Sequence, residues 1–325
     1  MKKYLVTGAS GFVAYYFFDY LNSLQEDCEV LGIDLNLPID MNNYSFHNLK
    51  LRFVKINLLD YTTLVSVLVS FSPTHIVHLA SSSSVAHSWK NPIDSFINNS
   101  NVFLNLIEII HKQNITCRLL SVGSSEEYGN VPADCIPINE SVQLQPVSPY
   151  AVSRVSQEML SKCYISSYGL DIILTRSFNH IGPRQRDIFV IPSFIKQILE
   201  NIKSGQTENI KLLTGDASLI RDFLDVRDVV KAYYFLLEKG VSGEIYNICS
   251  GTGRSLSEII DMISGMLNIQ ITIEVDKEKV RPLDNRIIIG DNTKISSCLG
   301  WYPQIPFMDS LSDIIAFWKN ELNIS

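Results

Sequence analysis

Tyr150 and Arg154 stand four residues apart in the stretch Ser148-Pro149-Tyr150-Ala151-Val152-Ser153-Arg154, so on a helix they share one face. A cation beside a phenol favours the phenolate. Such a tyrosine can take a proton from a hydroxyl or return one to a carbonyl oxygen. Upstream lies Ser121-Val122-Gly123-Ser124-Ser125-Glu126-Glu127-Tyr128-Gly129. Ser124 can donate a hydrogen bond to that same oxygen and steady its developing charge. Alone, a tyrosine and an arginine at this spacing are commonplace, a packed ring beside a surface cation. Their surroundings decide.

A second group of residues supplies those surroundings. Thr7-Gly8-Ala9-Ser10-Gly11-Phe12-Val13-Ala14 falls between an apolar run and an amphipathic one. Glycines there allow a tight turn and bring backbone N–H groups to a pyrophosphate at a helix N-terminus. Gly8, Ser10, Gly11, Phe12 and Val13 are therefore candidate contacts of a dinucleotide. Asp34 ends the next apolar run, where a carboxylate accepts hydrogen bonds from the adenosine ribose and repels a 2′-phosphate. This predicts NAD in preference to NADP. Asn57 and Leu58 follow the third run, where adenine would lie, although a plain turn explains them equally well. Leu79 and Ala80 end the fourth, at the crossing of the sheet edge, and the neighbouring His78 reads as structural. With a dinucleotide in place, Tyr150 and Ser124 read as proton handlers for a hydride transfer at nicotinamide.

These residues need a scaffold that alternates strands and helices, and the first half of the chain has that rhythm. Strands are predicted at Lys3–Thr7, Glu29–Asp34, Leu51–Ile56, His75–Ala80, Arg118–Gly123 and Asp171–Phe178. Helices are predicted at Phe12–Leu24, Tyr61–Phe71, Pro92–Lys112 and Pro149–Tyr168. Several strands are apolar throughout, as expected when helices cover both faces of a parallel sheet. The fold class is thus α/β, a doubly wound parallel sheet with a smaller C-terminal α/β unit. Later elements are the run Ile210–Gly215, a helix near Asp225–Lys239 and a strand at Glu244–Ser250. The expected division assigns 1–178 and 214–243 to dinucleotide binding, and 179–213 and 244–325 to substrate.

Bulk composition narrows the function classes. The chain has 325 residues, of which 46% are hydrophobic and 19% charged, and its net charge is −7. An acidic chain repels phosphate backbones, so nucleic acid is not an expected partner. Cys28, Cys117, Cys135, Cys163, Cys249 and Cys298 are scattered, without the clustering of a metal site or a disulfide scaffold. No metal is expected. No segment reads as a signal peptide or a membrane span, and a cytoplasmic, soluble protein is the expectation.

Taken together, the motifs resemble the extended short-chain dehydrogenase/reductases that modify nucleotide sugars. The resemblance spans almost the whole chain, through TGASGFVA (7–14), HLASSSSVAHSW (78–89), SVGSSEEYG (121–129), SPYAVSR (148–154), RSFNHIGPRQ (176–185), IRDFLDVRDVV (220–230), YNICSGTG (246–253), RPLDN (281–285) and LGWYP (299–303). Within that family it is most similar to the GDP-4-keto-6-deoxy-D-mannose 4-reductases, with the GDP-mannose 4,6-dehydratases near relatives. The resemblance implies a catalytic group of Ser124, Ser125, Tyr150 and Arg154, with Glu126 where dehydratases keep an acid/base carboxylate. It adds Ser81 and Asn99 to the cofactor contacts, alongside Tyr150 and Arg154. For the substrate it implies Ser83, Asn179 near the phosphates or sugar, Val190 and Lys196 at the base, Arg221 and Arg281 on the diphosphate, and Asp284 near the ribose.

Three departures stand out. The family's catalytic lysine is Arg154, Asp34 disagrees with the NADPH preference of the 4-reductases, and Val102-Phe103 replaces a Gly-Thr pair behind the nicotinamide. The expected reaction is hydride transfer at C4 of a GDP-sugar, in the first place reduction of GDP-4-keto-6-deoxymannose. A 4,6-dehydratase, a C4 dehydrogenase or epimerase of a GDP-hexose or GDP-heptose, and a non-catalytic nucleotide-binding protein are the alternatives. A homodimer or homotetramer is implied, its subunits pairing through Pro92–Lys112 and Pro149–Tyr168.

Overall fold

The computed structural model describes residues 1–38, 46–277 and 285–324. The chain begins β1 (Lys2–Thr7), α1 (Phe12–Ser23), β2 (Cys28–Asp34), β3 (Leu49–Lys55), α2 (Tyr61–Phe71) and β4 (His75–His78). It continues through α3 (Val85–Lys90), α4 (Pro92–Phe96), a π turn (Ile97–Asn101), α5 (Val102–Lys112), β5 (Arg118–Ser124), a 3-10 turn (Ser125–Tyr128), α6 (Pro149–Tyr168) and β6 (Asp171–Ser177). Next come β7 (Asn179–Ile181), α7 (Val190–Lys203), β8 (Ile210–Thr214), β9 (Ile220–Asp225), α8 (Val226–Lys239) and β10 (Ile245–Ile248). The last part holds β11 (Gly253–Ser255), α9 (Leu256–Leu267), β12 (Ile271–Val275), β13 (Ile287–Ile288), α10 (Thr293–Leu299) and α11 (Phe307–Glu321).

A seven-stranded sheet runs β3-β2-β1-β4-β5-β6-β10, and all its pairings are parallel. The chain leaves β1 toward β2 and β3, then crosses back to β4 on the other side. That reversal opens a crevice at the carboxyl ends of β1 and β4, where open α/β sheets receive ligands. Both faces are apolar because both are covered. Tyr4 and Val6 of β1 enter a core with Phe17 and Phe18 of α1 and Val229, Tyr233 and Leu236 of α8. Leu5, between them, faces the other way into a core with Leu64 and Leu68 of α2 and Leu106 and Ile110 of α5. The alternation of strand side chains thus supplies two cores from one continuous hydrophobic run.

The smaller unit is built on β9, which pairs antiparallel with β11 and parallel with β7 and β13. A parallel pair, β8 with β12, stands apart. Their core gathers Ile191, Phe194, Ile195, Ile259, Ile263, Leu311 and Ile314.

The structure redraws the expected division at two strands. β10, assigned by sequence to the substrate unit, is the last strand of the large sheet, beside β6. β9, assigned to the dinucleotide unit, belongs to the small sheet, but its Leu224 enters the large unit's core while its Phe223 enters the small one's. A strand whose two faces serve two cores carries no sequence mark of which sheet it pairs with. The helix expected at Pro92–Lys112 is present as α4 and α5 with the π turn between them.

Candidate active site

The β1–α1 turn lies flush against the end of β4. Gly8 has φ +69°, and a β-carbon there would come within 2.8 Å of the Ala80 nitrogen, so a glycine is required on both counts. Gly11 donates its N–H to the Gly8 carbonyl at 3.0 Å and occupies the N-cap of α1, where no side chain caps the helix. The first N–H groups of α1, at Phe12 and Val13, are left for an anion. Asp34 ends β2 with its carboxylate held against this turn. Its Oδ2 accepts the Ser10 N–H at 3.0 Å and its Oδ1 that of Asn36 at 3.4 Å.

At the next strand end, the Asn57 Oδ1 accepts the Leu59 N–H at 3.0 Å, a turn-forming bond. Leu58 is buried in the core. Leu79 and Ala80 follow β4, and Thr7 Oγ1 both accepts the Ala80 N–H at 3.1 Å and meets the Nδ1 of His78 at 2.9 Å. His78 is fully buried; burial, then the nearby Arg154 charge, hold its pKa down to about 3. Buried in this way, the ring is neutral. The Ser81 hydroxyl is buried with no hydrogen-bond partner among the described residues. A glycine turn, a carboxylate ending β2 and an orphan hydroxyl just after β4 fit a dinucleotide lying across the crevice.

The proton-handling group lies at the carboxyl end of β5 and on α6. Ser148 caps α6 by accepting the Ala151 N–H at 3.1 Å, and Pro149 takes the first turn, where its missing N–H costs nothing. This sets Tyr150 and Arg154, 6% and 5% exposed, on the face of α6 that packs on β5. Arg154 Nε donates to the Tyr150 hydroxyl at 3.2 Å. Its Nη1 donates to the Val122 carbonyl at 3.0 Å and to Gln157 Oε1 at 2.7 Å.

Ser124, the last residue of β5, starts the 3-10 turn as a capping box. Its Oγ accepts the Glu126 N–H at 3.2 Å, and its own N–H donates to Glu127 Oε1 at 2.7 Å. Ser125 is buried and Glu126 half-buried on this turn. Glu127 is wholly buried, and its Oε2 has no hydrogen-bond partner among the described residues. Burial, and then repulsion from Glu158, push its carboxyl well above the ordinary range. Asn99 reaches the same place through the π turn, a feature that often marks functional sites. Its Oδ1 accepts the Ser82 N–H at 2.7 Å and its Nδ2 donates to the Ser153 Oγ at 2.9 Å, tying the end of β4 to α6.

The expected substrate residues are more scattered. Asn179 opens β7 and donates to the Asp222 carbonyl at 3.1 Å. Arg221, on β9, is 8% exposed and donates to the Ile220 carbonyl at 2.9 Å. Val190 starts α7, and Lys196 on the same helix has its Nζ 2.6 Å from Asp187 Oδ2 and 3.8 Å from Glu200 Oε1. Ser83 is exposed after β4. Arg281 and Asp284 lie outside the described residues.

The sequence reading missed Glu127 and Gln157. The first was legible as the Ser-x-x-Glu spacing of a capping box, and the second as the residue three beyond Arg154 on one helical face. No helix among the described residues is long and apolar enough to cross a membrane.

Comparison with known proteins bears on the family and the fold. A family model described as GDP-mannose 4,6 dehydratase matches residues 5–314. The chain is 33% identical over 250 residues to GDP-6-deoxy-D-mannose reductase of Pseudomonas aeruginosa, covering 77% of this chain and 82% of that protein. Among solved structures it is similar to RMD from P. aeruginosa complexed with NADPH, with TM-score 0.85, 30% identity, and 99% of this chain and 100% of that one covered. It is also similar to dTDP-glucose 4,6-dehydratase from Bacillus anthracis in complex with NAD, with TM-score 0.83, 26% identity, and 99% and 97% covered.

Proposed function

The chain belongs to the GDP-mannose 4,6-dehydratase family of nucleotide-sugar enzymes, and from that premise we propose that it moves a hydride at C4 of a GDP-sugar, reducing the ketone of GDP-4-keto-6-deoxymannose. The observation that carries this reading is the buried Arg154 Nε donating to the Tyr150 hydroxyl at 3.2 Å, on the helix packed against the strand that ends in Ser124. The nicotinamide cofactor, when bound, supplies the hydride. Tyr150 delivers its phenolic proton to the oxygen as the ketone carbon becomes a carbinol, and regains a proton from solvent. Ser124 donates a hydrogen bond to that oxygen. Arg154 stabilises the phenolate left behind and keeps donors for the ribose.

Asp34 supports NADH as the preferred reductant, since a fixed carboxylate repels a 2′-phosphate. Arg221 supports diphosphate binding, with Arg281 as its counterpart. Exposed apolar residues on α4 and α6 support a homodimer, and the reading keeps the cytoplasmic location expected from sequence. Incubating the pure protein with GDP-4-keto-6-deoxymannose should oxidise NADH faster than NADPH and yield the 6-deoxy-GDP-sugar. Failure to oxidise either cofactor overturns the proposal. Glu126, half-buried beside Ser124 on the 3-10 turn, favours a second reading, a 4,6-dehydratase in which it removes the C5 proton. Formation of a 4-keto sugar from GDP-mannose without added cofactor selects that one.

A further inference from the structure

Arg154 occupies a position where the family resemblance expects lysine, and the two cations make different demands on their surroundings. An ammonium is a compact charge with rotatable donors, whereas a guanidinium is a rigid planar fork whose benefit depends on how it is turned. Here the turning is fixed by neighbours. Gln157 Oε1 and the Val122 carbonyl both accept from Nη1, at 2.7 Å and 3.0 Å, and with that nitrogen anchored Nε faces the Tyr150 hydroxyl.

The glutamine amide is fixed in turn. Its Nε2 donates to Ser121 Oγ at 2.9 Å and to the Val122 carbonyl at 3.1 Å, so only Oε1 can meet the guanidinium. Gln157 is 1% exposed, buried together with the guanidinium it meets. We propose that Gln157 is a positioning residue that holds the Arg154 guanidinium in the orientation serving Tyr150 and the cofactor, an anchor that an arginine at this position requires and a lysine would not. Arg154 and its anchor are then one device, and the arginine is a working replacement rather than a lesion. The inference rests on the proposed function for its turnover readout, and on cofactor binding alone for the other.

The test measures NADH dissociation constants by fluorescence and kcat on the keto-sugar for wild type, Gln157→Met, Ser121→Ala, Arg154→Lys and the Gln157→Met/Arg154→Lys double variant, with melting curves as the control for folding. Gln157→Met keeps length but loses both polar functions, and should weaken NADH by about 5-fold or more and lower kcat by about 10-fold or more, with little change in the KM for sugar. Ser121→Ala, which only loosens the amide, should lose about 2- to 5-fold. In the Arg154→Lys background the Gln157→Met change should cost less than about 2-fold, because the two residues act as a unit.

Wild-type NADH affinity and kcat in Gln157→Met, or the same fold loss in both backgrounds, overturns the inference. A double variant that fails to melt cooperatively moves the decision to Ser121→Ala, whose wild-type behaviour overturns it equally. If the wild type binds NADH but reduces no sugar nucleotide, the proposed reaction fails while the binding measurements still decide the role of Gln157.

Discussion

At the scale of single residues, the site is a set of polar groups each held by a partner that removes its freedom. Tyr150 is held by Arg154, Arg154 by Gln157 and Val122, and the Ser124 backbone by Glu127. Glu127 gives a pH-dependent prediction. Burial, and then the neighbouring Glu158, raise its carboxyl above the ordinary 4.5, while Arg176 and Arg154 and the Ser124 N–H pull the other way without winning. In the unfolded chain this group ionises near its ordinary value, so above that pH the folded protein keeps a proton that the unfolded chain has released. The stability linked to that proton is complete below the unfolded pKa and is lost as pH rises toward the folded one, by up to about 1.4 kcal/mol per pH unit. Glu127→Gln stays neutral and can still accept from Ser124. Its melting temperature should therefore gain on that of the wild type between about pH 5 and pH 8, and parallel melting-versus-pH curves would refute this. The capping-box spacing was legible in the sequence; the burial that makes the carboxyl reluctant to ionise was not.

At the scale of elements, strand ends and helix starts were read well because they carry local chemistry. Helix α6 spans Pro149–Tyr168, the bounds expected from the sequence, with the proline in its first turn. The π turn was not foreseen. A patterned run gives no local sign of one extra residue in a turn, and this one is accompanied by contacts from Asn99 to Ser82 and Ser153 on other elements. The β1–α1 turn is the element most sensitive to a single methyl group. Gly8→Ala places a β-carbon against the Ala80 backbone in a left-handed conformation and should cost about 1–3 kcal/mol. Thermal unfolding should report that loss, and NADH affinity should fall with it as the turn lifts from β4. A variant that binds NADH normally would show that the turn does not set the cofactor's seat.

At the scale of the whole molecule, an apolar groove of about 640 Å³ is lined by Trp89 of α3, Pro92, Ile93 and Phe96 of α4, and Val152 of α6. Ile93 is 73% exposed and Trp89 47%, a concentration of apolar surface that a lone chain would leave in water. On the homodimer reading, Ile93→Glu should convert a dimer to a monomer in sedimentation equilibrium while leaving the fold intact; an unchanged mass would place the interface elsewhere. By itself the sequence determined the parallel sheet, the glycine turn, Asp34 at a strand end and the tyrosine–arginine pair, because each is written in residues close along the chain. Tertiary structure decided that β10 completes the large sheet, that β9 serves two cores, and that Gln157 links Arg154 to Ser121 by buried hydrogen bonds. Those outcomes depend on which distant segments meet. Pairing of strands and orientation of buried amides are settled only when the segments are packed together and each polar group must find a partner.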